Sequence, residues 1–221
     1  MQAILSPFPD WIGFGSASAD EPELSEPSPE EWAALPAGCV AARRQTFALG
    51  RAAARCAFEA LGRDPVPVLI NGDRSPIWPE GTVGSITHTD TCAAAAVAPA
   101  ARTAGLGLDI EDITKTQTID IARLVASPAE QVWLAGDPDR LIRVFSAKEA
   151  IYKAFYPRHG KFFGFEAVEL EPVLDGFRAT LLVPLAAWPA GSRVNVRSVQ
   201  AGALVVSAVL LPLAPSDIPL L

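Results

Sequence analysis

Cysteine and histidine are scarce in this chain of 221 residues: Cys39, Cys56 and Cys92, His88 and His159. The cysteines show no metal-type spacing, and their odd number argues against a disulfide framework. Two histidines so far apart exclude a zinc cluster. No apolar run approaches the roughly 18–20 residues of a membrane span. The opening MQAILSPFPDW has neither a basic leader nor a signal-peptide core, so a reduced, cytoplasmic protein without a membrane partner is expected. Bases are missing altogether from residues 1–42, which hold seven of the 25 acids. The other 18 acids face 18 Lys and Arg, so the net charge of −7 belongs to the leader and the body is neutral. A nucleic-acid partner is therefore not expected.

What is present is a large apolar fraction. Half of the residues are hydrophobic, enough for a buried core without staples. Residues 15–30 are rich in Ser, Pro and acids and read as an exposed loop. Ser28-Pro29-Glu30-Glu31 reads as a helix start with a serine cap. A longer helix is expected from about Gly38 to Leu61, stopped by Gly62. PVPVLI, TVGSITH, CAAAAVA and GLGLDIE read as strands, 119–135 and 138–156 as helices, and the tail as four more strands. GSITHTDTCAAAAVA echoes VRSVQAGALVVSAVL in shape, which suits two similar halves of an α+β fold.

Four segments carry polar groups in patterns that suit chemistry. On a strand, Asp109 and Glu111 of GLGLDIE share a face, one pleat apart, where like charges repel unless a cation intervenes. Oxygen ligands of this kind suit Mg²⁺, although acids at a strand end are also common. In FSAKEAIYKAF, Ser146-x-x-Glu149 matches a capping box, and Glu149 and Lys153 meet at i, i+4. Arg44, Arg51 and Arg55 fall on one line of their helix with few acids beside them. That is the pattern of a solvated stripe, or of guanidinium groups awaiting phosphate. Arg74 stands in a polar turn, and Thr87-His88 closes a strand, where side chains tend to face a cleft.

Together, and in this order, these blocks resemble the 4′-phosphopantetheinyl transferases of the Sfp/EntD type, closest to the siderophore and actinobacterial subgroup. GRAAARCAFEALG, RSPIWPEGTVGSITHT, GLGLDIE and FSAKEAIYKAFYP carry the resemblance over about residues 38–166. It implies two similar α+β halves related by a pseudo-two-fold, here 1–103 and 104–221, with the active site between them. It implies transfer of the phosphopantetheine arm of coenzyme A to a serine of an apo acyl or peptidyl carrier protein, with release of 3′,5′-ADP. The implied metal ligands are Asp109, Glu111 and Glu149, holding Mg²⁺ or Mn²⁺. Glu149 would take the serine proton, and Lys148 and Lys153 would stabilise the departing phosphate. Arg44, Arg51, Arg74, Thr87 and His88 would contact coenzyme A, with Arg55 added from the helical stripe. The partner would be a carrier presenting an acidic helix, met by a monomer. The competing reading is a non-catalytic module on the same fold that binds coenzyme A or a carrier.

Overall fold

The computed structural model describes residues 4–21, 25–115 and 121–213. Its repeating unit is a glycine-bearing strand, a long helix and a hairpin. In the first unit β1 (Gly13–Ser18) is followed by the short α1 (Pro29–Ala33), then α2 (Ala41–Ala60). The two-residue strands β2 (Leu69–Ile70) and β3 (Pro76–Ile77) lead to the hairpin β4 (Thr82–His88) and β5 (Cys92–Pro99). The second unit opens with β6 (Gly105–Asp112), and α3 (Ala122–Val125) and α4 (Pro128–Leu134) precede α5 (Pro138–His159). Strands β7 (Val168–Val173), β8 (Gly176–Leu181), β9 (Arg193–Ala201) and β10 (Leu204–Leu211) complete it.

The sheets carry the same signature. One has the order β1-β5-β4; the other begins β6-β10-β9 and continues through β8 to β7, all antiparallel. α2 lies on β1 and β5, and α5 on β6 and β10. Each long helix is admitted by a Gly-x-Gly strand. A Cβ on Gly15 would stand 2.4 Å from Ala53 O, and one on Gly107 only 1.8 Å from Ala150 O. Gly13 and Gly105 meet Ala57 O and Ala154 O in the same way, at 2.0 and 2.5 Å. Only glycine lets a helix backbone come so close to a strand.

The two sheets meet edge to edge at β4 and β6. Leu108 N donates to Ser85 Oγ at 3.0 Å, and Ile110 N to Thr87 Oγ1 at 3.1 Å. Side-chain hydroxyls thus satisfy the outer N–H groups of β6 that no strand pairs.

Several expectations change. Residues 13–18 form β1, paired with β5 from Gly13↔Val97 to Ser18↔Cys92, so the first part of the expected loop is a strand. Its small residues hid it, since glycine and serine are read as turn formers. Residues 119 and 120 lie outside the described residues; the rest of the expected 119–135 helix breaks in two where Ser127-Pro128 starts a capped helix. The capping box at Ser146 does not exist. α5 begins at Pro138, where the expected 138–156 helix begins, capped by Asp137, and Ser146 is wholly buried in mid-helix. Glu149 therefore has no capping duty.

Candidate active site

β6 and α5 bring the acids of the second half to the seam between the sheets. Asp109 is 3 % exposed, and its Oδ1 accepts from Lys153 Nζ at 2.6 Å and from Thr87 Oγ1 at 3.3 Å. Its Oδ2 is buried and has no hydrogen-bond partner among the described residues. An unsatisfied carboxylate oxygen in such a place is costly unless something else binds it. Burial raises Glu111 to about 7, with Asp109 and Glu149 pushing the same way and Lys153 opposing. Glu149 is also raised by burial and by Asp109, against Lys153. Three carboxyl groups thus share one ammonium. Among the described residues, no three metal-type side chains form a ready-made cluster.

The cations of the first half reach the same seam. Partial burial lowers His88 from its usual value, and Arg43 and Lys153 lower it further. Arg74 sits in the turn before β3 with φ of +71°, a left-handed conformation that costs a non-glycine residue about 1–2 kcal/mol. The turn is held from within: Asp73 Oδ1 accepts from Ser75 N at 2.9 Å and from Ser75 Oγ at 2.6 Å. Across the seam, Tyr156 Oη of α5 donates to Asp73 Oδ2 at 2.7 Å. These bonds hold Asp73 down to about 2.

Three cavities run through this region and share residues. One of about 400 Å³ is lined by Arg43, Asn71 and Arg74. The next, about 300 Å³, has Arg74, Ser85, Tyr152, Lys153 and Tyr156 on its walls. The third, about 500 Å³, is mostly apolar, with Glu149, Tyr152, Phe162, Phe163 and Phe165 around it. Arg74 borders the first two and Tyr152 the last two, so a basic end leads past Lys153 to an apolar end bordered by Glu149.

Several residues expected here lie elsewhere or are otherwise engaged. Arg51 and Arg55 are not free for phosphate, because both pair with Glu31 of α1, at 3.6 and 3.2 Å. Burial lowers Arg51 to about 10, with Glu31 opposing. Arg44 stacks on Trp32 at 4.4 Å and lines a separate cavity. The stripe looked unpaired because its acid comes from another element. Lys148 is likewise spent: its Nζ donates to Glu130 Oε2 and Val125 O, both at 2.8 Å, and to Phe165 O at 3.1 Å. Arg43 and Tyr152 were missed. Arg43 precedes Arg44 and stands about 100° round the helix from the expected line, and Tyr152 stands one residue before Lys153.

The family follows from comparison. Residues 30–98 match the model of the 4′-phosphopantetheinyl transferase N-terminal domain, and 105–190 that of the 4′-phosphopantetheinyl transferase superfamily. The 4′-phosphopantetheinyl transferase Svp of Streptomyces mobaraensis is 39 % identical over 193 residues, 82 % of this chain and 77 % of that protein. Npt of Nocardia iowensis is 37 % identical over 188 residues, covering 76 % and 83 %. PptT of Mycobacterium tuberculosis is 36 % identical over 165 residues, covering 70 % and 69 %. The chain belongs to the 4′-phosphopantetheinyl transferases. It is an enzyme that moves phosphopantetheine from coenzyme A to carrier proteins.

Proposed function

We propose that coenzyme A lies extended through the three cavities, with the transfer carried out by β6 and α5. The observation that supports this is their order. A nucleotide bearing phosphates suits the Arg43–Arg74 end, and Arg43 also acts on His88, which is lowered first by burial and then by Arg43 and Lys153. The pyrophosphate falls beside Lys153, and the pantetheine arm suits the apolar cavity bounded by Tyr152 and Phe163.

The donor set fits a magnesium ion. Asp109 offers an orphaned oxygen, and burial leaves Glu111 and Glu149 short of positive charge. Asp109, Glu111 and Glu149 would hold Mg²⁺, or Mn²⁺ with the same oxygen ligands, and the ion would neutralise charge on the phosphoryl oxygens. The chain's own groups do the rest. Glu149, raised by burial, takes the proton of the carrier serine. The serine oxygen forms a bond to the β-phosphorus as the bond to the 3′,5′-ADP oxygen breaks. Lys153 stabilises the departing phosphate. The partner is an apo carrier protein, and the enzyme acts as a monomer. The three free thiols suit a reducing cytoplasm. Among the described residues no helix is long and apolar enough to cross a membrane.

Incubation with coenzyme A, Mg²⁺ and an apo carrier, followed by mass spectrometry, tests the reading. Transfer adds one phosphopantetheine to the carrier. Release of 3′,5′-ADP with no change in the carrier would mean hydrolysis, and no reaction would leave a binding module; either refutes the assignment.

A further inference from the structure

The long helices carry a matched pair of buried cations. Gly15 lies against Ala53 and Gly107 against Ala150, which aligns α2 with α5. Counting back two residues from each alanine arrives at Arg51 and Lys148. Each cation meets a glutamate from a short helix that opens with Ser-Pro: Ser28-Pro29-Glu30-Glu31 and Ser127-Pro128-Ala129-Glu130. The two glutamates have the same partners. Glu31 Oε2 accepts from Ser28 N at 2.8 Å, and Glu130 Oε2 from Ser127 N at 2.6 Å. Glu31 Oε1 accepts from Val68 N at 2.9 Å, and Glu130 Oε1 from Leu170 N at 2.7 Å. Neither glutamate is more than 3 % exposed. A capping glutamate alone would be local; one that also binds a distant segment and a cation of the long helix ties three parts of its half together.

In the second half this tie borders the active site. The Lys148 side chain is 2 % exposed, and an ammonium has three donors, all of them used. One holds the end of α3, one holds α4 through Glu130, and one holds the Phe165 carbonyl. Leu124 of α3 and Phe165 are walls of the apolar cavity, and Glu149, the next residue along α5, is another.

We propose that Lys148 is a positioning residue, fixing the walls of the apolar cavity to the helix that bears Glu149 and Tyr152, and that it makes no contact with phosphate. This rests on the assignment of that cavity and Glu149 to the transfer site. The matched pair in the first half argues for it, because Arg51 holds the corresponding place, 3.6 Å from Glu31, where the aligned neighbour of Glu149 is Ala52 and no acid stands.

Lys148→Met, Glu130→Gln and the double variant separate the two roles, with the double removing both buried charges should either single variant fold poorly. Kinetics are read below the melting temperature of each, beside binding of 3′,5′-ADP, which lacks the arm. The expected result is a fall in kcat of about 10- to 100-fold that is similar in Glu130→Gln and the double, as for groups acting as a unit. Binding of 3′,5′-ADP stays as in the parent. Glu31→Gln, the corresponding change in the first half, lowers the melting temperature and leaves kcat alone. Lys148 and Glu130 effects that simply multiply, or Glu130→Gln with parental kcat, would overturn the inference. A fully active Glu149→Gln would overturn the site assignment beneath it instead.

Discussion

Glu149 and Asp137 divide between them two duties that one residue seemed to combine. The cap of α5 is Asp137, whose Oδ1 accepts from Asp139 N at 2.9 Å and Arg140 N at 3.4 Å. Asp137→Ala should therefore lower stability by about 1 kcal/mol, read from a denaturant melt, with kcat unchanged. Glu111 offers a pH test. Its folded value of about 7 lies above the ordinary 4.5, so in metal-free protein its favourable contribution is complete below 4.5 and lost as pH rises through 7. Glu111→Gln should raise the melting temperature of metal-free protein at pH 8 and leave it near that of the parent at pH 4.5. Equal melting temperatures at pH 8 would show that Glu111 is not crowded by like charge. The acids themselves were legible in the sequence, because strand alternation alone put Asp109 and Glu111 on one face. The fate of Lys148 and Arg51 was not, since their partners Glu130 and Glu31 come from other elements, a fact of packing that no local spacing reports.

At the scale of elements, the paired Gly-x-Gly strands decide whether the long helices dock. Gly107→Ala would drive a methyl into Ala150 O, a backbone atom with nowhere to go. We expect a loss of about 3 kcal/mol or more, the upper end of overpacking costs, or no folded protein. Gly62→Ala is the contrast: its φ is +73° with nothing near the added methyl, so only the left-handed conformation is penalised, at about 1–2 kcal/mol. Thermal melts of both variants check the order. Most strands and both long helices could be anticipated from periodicity, and the start of α1 from its cap. β1 could not, because GFGSAS lacks the branched side chains that mark strands, and its glycines serve α2 rather than a turn. The start of α5 at Pro138 was anticipated, but a capping box was also read at Ser146, because a Ser-x-x-Glu pattern inside a helix is indistinguishable, on paper, from one at its end.

The described residues follow one plan twice, with the candidate site at the seam. In the first unit the positions aligned with Glu149 and Lys153 are Ala52 and Cys56, so its helix offers neither acid nor lysine there. The first half supplies instead the cationic end, through Arg43 and Arg74, and the hydroxyls of Ser85 and Thr87 that fasten β4 to β6. Tyr156 reaches back across the seam to Asp73. Tyr156→Phe should weaken coenzyme A binding several-fold, about 1 kcal/mol for one lost hydrogen bond, and leave kcat within about twofold. The echo between the two hairpins was visible in the sequence, but which faces met at the seam was not.

Asp109, Glu111 and Glu149, the buried and half-buried acids of β6 and α5, are the groups to which the transfer is assigned. The most direct measurement is the single-turnover rate of carrier modification by Glu149→Gln, beside the parent, with circular dichroism confirming the fold. An intact helix signal and a rate at least about 100-fold lower are expected. A folded variant that modifies the carrier at the parental rate would contradict the assignment.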